Sequence, residues 1–134
     1  MLNPNATKWV NALRSGKYKQ AKGCLCDADE NSYCCLGVAC ELYAQEHSMR
    51  IINRFSDVRE GNIKEYDGAS NYLPSSVQNW LGLTVNNGCY YSSAGGGCET
   101  CWLLSKNDDV GMTFTQIADL IESEPEGLFM EKKR

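Results

Sequence analysis

Eight cysteines in a chain of 134 residues are the first chemistry the sequence offers. Cys98 and Cys101 form a CxxC pair, and Cys24-Leu25-Cys26 forms a CxC pair. Structural zinc needs four ligands in tetrahedral arrangement, so Cys24, Cys26, Cys98 and Cys101 make one candidate set. One CxxC is a weak signal and CxC a weaker one; the plainer alternative is cysteines that never meet. No βαβ pattern surrounds Cys98 and Cys101, which argues against a thioredoxin-like redox pair. Cys34 and Cys35 open an apolar run, where a helix N-terminus would lower a thiol pKa, the basis of a thiol-dependent enzyme. Such an enzyme needs a base, and His47 is the single histidine. Along a helix, His47 lies about 10 Å from Cys40, too far for contact. A histidine at a helix C-terminus, favourable to the dipole, accounts for it more simply.

Two other groups have chemistry to offer. Arg14, Lys17, Lys19 and Lys22 surround Tyr18. Cations beside an aromatic platform suit a phosphorylated or nucleotide ligand. The competing reading is a solvated edge strand whose lysines deter stray strand addition. Asn107-Asp108-Asp109-Val110-Gly111 resembles a calcium loop only superficially. With Gly111 at the turn position, Val110 falls on a ligand position and Ile117 replaces the bidentate glutamate. The segment reads instead as a turn that positions Thr113 to cap a helix. Gly95-Gly96-Gly97 lacks the strand, lysine and helix of a phosphate loop.

Those residues sit in a chain of ordinary globular make-up, 43% hydrophobic and 22% charged, sized for one domain. The formal net charge of -4 excludes a general DNA-binding protein, which carries a basic surplus. The start, Met1-Leu2-Asn3-Pro4, has no charged and apolar leader pattern, and the apolar run at 34–40 is far short of a membrane span. The expectation is a cytoplasmic protein whose cysteines stay reduced and pack as small hydrophobes.

The elements that must position these residues follow from capping and periodicity. Asn3 caps a first helix, Pro4 suits its first turn, and Gly16 follows its end. Ala6, Trp9, Val10 and Leu13 give its apolar stripe. Residues 17–26 read as extended. Residues 33–44 are apolar almost all round until Glu41, and their length favours a buried central helix. Residues 49–55 and 63–66 read as two strands joined through 59–62. Pro74 opens a short helix that stops at Gly82. Asn86-Asn87-Gly88 is a hairpin signal between 83–85 and 89–91. Thr113-Phe114-Thr115-Gln116 matches a capping box ahead of a stripe of Phe114, Ile117, Ala118 and Ile121. The fold class is therefore α+β: one domain over 1–125, with N- and C-terminal helices, a buried central helix and a short, mainly antiparallel sheet. Residues 126–134 read as a frayed charged tail.

Several blocks together resemble a family of small, mostly uncharacterised proteins encoded by phages and prophages. They are Trp9-Val10-Asn11-Ala12-Leu13-Arg14-Ser15-Gly16-Lys17-Tyr18-Lys19-Gln20 and Tyr33-Cys34-Cys35-Leu36-Gly37-Val38-Ala39-Cys40, then Leu73-Pro74, Trp80-Leu81-Gly82-Leu83, Asn107-Asp108 and Ile117-Ala118-Asp119-Leu120-Ile121-Glu122. The likeness spans most of the chain and carries no enzymatic activity with it. Cys34, Cys35, Cys40, Asn107 and Asp108 belong to the shared pattern, whereas Cys24, Cys26, Cys98 and Cys101 do not; the recurrence of Asn107 and Asp108 beside a capped helix fits ligand or partner contact and fits a capping and turn role equally well. The resemblance implies a non-enzymatic accessory protein acting in the infected cell, blocking a host defence by holding a host protein or sequestering a nucleotide signal. Proteins of that kind build sites between subunits, so a homo-oligomer is expected. A thiol-dependent enzyme using Cys34 or Cys35 and a zinc-stabilised interaction module are the alternatives.

Overall fold

The computed structural model describes residues 2–92 and 99–130. Helix α1 (Pro4–Arg14) starts where the sequence says it should, with the Asn3 side chain accepting from the Ala6 N–H at 2.8 Å. Its buried stripe is Ala6, Trp9, Val10 and Leu13. Three two-residue strands follow, β1 (Lys19–Gln20), β2 (Cys26–Asp27) and β3 (Ser32–Tyr33). Next come helix α2 (Cys35–Glu46) and a long hairpin of β4 (Ile51–Ser56) and β5 (Gly61–Tyr66). The sheet order is β1-β3-β2-β5-β4, antiparallel except for β1 beside β3. This is the mixed α+β domain with a mainly antiparallel sheet that the pattern predicts.

Helix α2 is the hub. Residues 35–40 are all buried, and the helix packs against α1, β3 and helix α3 (Ser75–Leu81). Trp9 Nε1 donates to the Cys35 carbonyl at 2.8 Å, fixing α1 on the first turn of α2. Gly37 is needed there: a Cβ would lie 1.7 Å from the Leu25 carbonyl oxygen, so the helix and the backbone just ahead of β2 meet with no side chain between. Helix α3 ends at Gly82, whose φ of 75° is the left-handed conformation glycine adopts freely.

Two differences from the sequence reading lie in the C-terminal half. Residues 83–91 do not form a hairpin. Leu83 bridges to Phe129, while β6 (Cys89–Ser92) pairs with β7 (Glu99–Trp102). The turn at 86–88 instead carries backbone bonds to Leu73, Leu103 and Leu104. Residues 126–130, expected to fray, are docked: Leu128 is fully buried, and Thr84 N–H donates to its carbonyl at 3.0 Å. Burying Leu128 beside a paired Phe129 outweighs the surrounding charge. Lys132, Lys133 and Arg134 lie outside the described residues.

Beyond β7 the chain forms a short helix α4 (Leu103–Ser105), which runs straight into a π-helical turn, π1 (Lys106–Val110), closed by Gly111 at φ 78°. Helix α5 (Phe114–Glu122) carries the predicted capping box in full. Thr113 accepts from the Gln116 N–H, and Gln116 reaches back to the Thr113 N–H.

Candidate functional site

The π1 turn is where sequence-flagged residues and an unfilled cavity coincide. Asn107 is fully buried and every hydrogen-bonding valence of its amide is used. Its Oδ1 accepts from Gln20 Nε2 at 2.8 Å and from the Cys35 N–H at 3.2 Å. Its Nδ2 donates to the Ala21 carbonyl at 2.7 Å and to Asp108 Oδ1 at 2.8 Å. One side chain thus satisfies an orphan donor in the first turn of α2, ties down the strand end after β1, and orients Asp108.

Asp108 faces a cavity of about 330 Å³ lined with Tyr72, Asn87, Trp102, Leu104 and Asp109. The rings of Tyr72 and Trp102 are large apolar groups left 50% and 42% exposed. Asp109 is held by a hydrogen bond from Ser105 Oγ at 3.1 Å. Among the described residues Asn87 Oδ1 has no hydrogen-bond partner, a buried unmet acceptor on a residue of the lining. The walls are fixed by backbone bonds: Leu73 N–H donates to the Asn86 carbonyl, and Leu104 N–H to the Asn87 carbonyl. Gly88, at φ 74°, packs directly on Leu103, where a Cβ would come within 2.8 Å. Among the described residues, no cationic side chain lines the cavity. Two oriented carboxylates and two exposed rings line one cavity, a set of groups whose chemistry suits an organic cation through ion pairing and contact with a π face.

The basic cluster is dispersed. Arg14 is clamped by Asp119 at 2.6 Å and Glu122 at 2.9 Å, and these hydrogen bonds raise its pKa. Lys19 pairs with Glu30 at 3.2 Å. Tyr18 packs edge-on against Tyr33 and accepts from Gln45. Lys17 and Lys22 are exposed. None of the five residues lines the acidic cavity or a second cavity, of about 380 Å³, beside the β4–β5 hairpin. That second cavity contains Arg54 and Arg59, already paired with Glu65 and Asp27.

The thiols of Cys34, Cys35 and Cys40 are interior. Cys34 is the N-cap of α2, its sulfur accepting from the Gly37 N–H at 3.4 Å. Burial pushes its pKa up to about 12, outweighing the helix N-terminus that would lower it. Burial likewise holds Cys35 and Cys40 well above the ordinary thiol value. His47, as expected, ends α2, stacked on Tyr43 at 4.6 Å between ring centroids. Of the zinc candidates, Cys24 and Cys26 are buried, Cys101 is half-buried on β7 in the other sheet, and Cys98 lies outside the described residues. Among the described residues, no group of three or more His, Cys, Asp or Glu side chains could hold a metal ion.

Fold and site together define a small α+β protein with packed thiols and one acid–aromatic cleft. The chain belongs to the family described as domain of unknown function DUF8296, whose model matches residues 2–125. No curated protein and no solved structure matches it. No helix among the described residues is long and apolar enough to cross a membrane.

Proposed function

We propose that this chain is a non-enzymatic binding protein that holds a partner protein by capturing an arginine side chain in the acid–aromatic cleft. The observation that carries the reading is Asp108 and Asp109 facing one cavity with Tyr72 and Trp102. A guanidinium is flat enough to lie on either ring while its N–H fork meets a carboxylate. Hydrogen bonds from Asn107 and Ser105 already orient the two carboxylates, so little ordering is lost on binding. The net charge of -4 favours encounter with a basic partner. The resemblance to phage-borne proteins supports a role in the cytoplasm of an infected cell, with a host defence protein as the partner.

Sequestration of a nucleotide signal has less support. The cleft would repel phosphate, and two of the four cations near Tyr18 are already neutralised by carboxylates. The test uses an arginine-rich nonapeptide and its citrulline counterpart, which keeps the shape and loses the charge. The arginine peptide raises the melting temperature of the protein and the citrulline peptide does not. Asp108→Asn combined with Asp109→Asn weakens the arginine peptide about tenfold or more, and Trp102→Ala weakens it about threefold to fivefold. Equal shifts with both peptides, or none, overturn the reading. A shift with a cyclic nucleotide that survives the double aspartate variant would transfer the function to the basic cluster.

A further inference from the structure

Strand β4 is an edge of the five-stranded sheet, and among the described residues nothing pairs with its outer side. The identity of the outward-facing groups follows from the register. Asp67 N–H donates to the Arg50 carbonyl at 2.8 Å, and Arg50 N–H to Asp67 Oδ1 at 3.0 Å, which makes 50 and 67 a hydrogen-bonded position of the hairpin. Such positions alternate in an antiparallel ladder. In the observed register they continue at Ile52 with Glu65, Arg54 with Ile63, and Ser56 with Gly61. The N–H and C=O groups of Ile51, Asn53 and Phe55 therefore point away from β5. Two observations agree: Tyr66 N–H is engaged by the Ala69 carbonyl instead of Ile51, and the Asn62 carbonyl is turned to Ala28.

Monomeric proteins blunt such an edge with lysine, proline, a bulge or shortness. The opposite edge, β1, is two residues long and carries Lys19. Strand β4 has no lysine, proline or bulge, and its one charged side chain, Arg54, is paired with Glu65 on the neighbouring strand at 3.1 Å. It is six residues long, regular, and exposes Ile51, Ile52 and Phe55, the last at 57%, with Val58 almost bare at the hairpin end.

We propose that β4 pairs antiparallel with β4 of a second copy across a two-fold axis through Asn53, joining two five-stranded sheets into one. Charge and side-chain match select both the occupant and the register. Only registers that place odd-numbered residues opposite odd-numbered residues align the outward groups. Setting Asn53 against Asn53 puts Ile51 opposite Phe55 twice, and Ile52 opposite Arg54. A shift by two in total register in one direction sets Arg54 against Arg54, and in the other sets Arg54 against Arg50. Like charges directly opposite are destabilising, and aromatic–β-branched pairs are favourable. The central register is thus self-complementary, as an isologous dimer requires, and forms about six inter-chain hydrogen bonds. The acid–aromatic cleft lies on other elements, so this inference stands apart from the proposed ligand.

The test is light-scattering mass across a concentration series, with the native chain and two variants. The native chain reaches twice the mass of one chain. Asn53→Pro removes an outward N–H and takes no hydrogen bond from the β4–β5 ladder, as an edge strand tolerates, and Phe55→Lys places a charge at the paired position; each returns the mass to that of a single chain while circular dichroism stays native. Asn53→Cys supplies a register check. At a hydrogen-bonded position on the axis the two Cα atoms stand about 5.5 Å apart, within disulfide reach. Mild oxidation therefore gives a linked dimer with Asn53→Cys, and neither Arg54→Cys nor the native chain gives one. A native chain that stays single at every concentration overturns the proposal, as does a dimer that survives both Asn53→Pro and Phe55→Lys. Equal linking at positions 53 and 54 overturns the register.

Discussion

The joint around Asn107 and the outer edge of β4 treat polar groups in opposite ways. At the joint, one amide makes four hydrogen bonds to Gln20, Ala21, Cys35 and Asp108, and it is fully buried. At the edge, three backbone N–H and C=O pairs face outward beside exposed Ile51 and Phe55. A saturated, buried polar group has no capacity left for a ligand, so its role is to hold elements in place. An unsaturated one on a rigid element is available for binding. The same contrast is repeated over one peptide bond in π1: Asn107 is spent on structure, and its neighbour Asp108 is turned to the cleft. Conspicuous polar residues in this protein are thus sorted by valence, and the thiols of α2 fall on the structural side with Asn107.

The contrast breaks most visibly where helix and strand backbone touch. Gly37→Ala puts a methyl group 1.7 Å from the Leu25 carbonyl oxygen, with backbone on both sides and nothing flexible to move. The expected loss is about 4 kcal/mol or more, read as a fall in the urea midpoint or as failure to fold. Gly68→Ala is the control. Unlike the helical Gly37 it sits at positive φ, with φ 84°, but beyond its chain neighbours no atom lies within 4 Å of an added Cβ, so strain alone should cost about 1 kcal/mol. Comparable losses at both positions would mean that α2 is not seated on Leu25 as described.

The next largest effect separates the two neighbours in π1. Asn107→Ala strands the Cys35 N–H, the Ala21 carbonyl and Gln20 at once, and should cost about 3 kcal/mol in urea unfolding. Asp108→Asn keeps an acceptor for Asn107 and should change stability by about 0.5 kcal/mol or less. In the cleft the order reverses, since only the Asp108 change removes charge from the cavity wall. A large stability loss from Asp108→Asn would place it with Asn107 among the structural groups and weaken the case for the cleft.

How much of this the sequence could announce depended on how local each cause is. Helices α1, α3 and α5 carry their own start and stop chemistry in Asn3, Gly82 and the Thr113–Gln116 box, and α2 is a run whose length and polarity allow little else. The turn at 106–110 gave a polar, glycine-ended segment, which looks the same whether it becomes a loop or a π turn; what decides is the buried amide of Asn107, whose partners are 72 to 87 residues away. The cleft was hidden for the same reason. Tyr72, Asn87, Trp102 and Asp108 are separate in sequence, and the backbone bonds of the 86–88 turn to Leu73, Leu103 and Leu104 help draw them together. In the basic cluster the missing information was equally distant, because Asp119 and Glu122 claim Arg14 from across the α1–α5 contact. The docked segment at 126–130 rests on two apolar residues among charges, too few to signal burial.

The smallest expected effect concerns how firmly the hairpin bearing β4 is held. Arg59, in its turn, donates to the Lys22 carbonyl at 2.7 Å and to Asp27 Oδ2 at 3.0 Å. Burial alone would raise the Asp27 pKa, but the hydrogen bond from Arg59 and those from the Glu30 and Asp29 N–H groups outweigh it and leave the pKa lowered. A carboxylate with a depressed folded pKa contributes stability above its unfolded value, and that contribution disappears as pH falls through the folded value. Arg59 and Asp27 remain 30% and 20% exposed, so solvent screening limits the contribution to about 0.5–1 kcal/mol. Asp27→Asn should therefore lower the unfolding free energy measured in urea near pH 7 by that amount, and the difference should vanish once the pH has fallen through the depressed folded value, where the native carboxyl is protonated as well. Because β4 reaches the rest of the sheet through β5, a looser turn should also loosen the edge: backbone amides of Ile52, Arg54 and Ser56, which face β5, should exchange faster in Asp27→Asn at neutral pH. Unchanged exchange would show that the β4–β5 ladder is rigid without this anchor, and the edge would then owe its order to the hairpin alone.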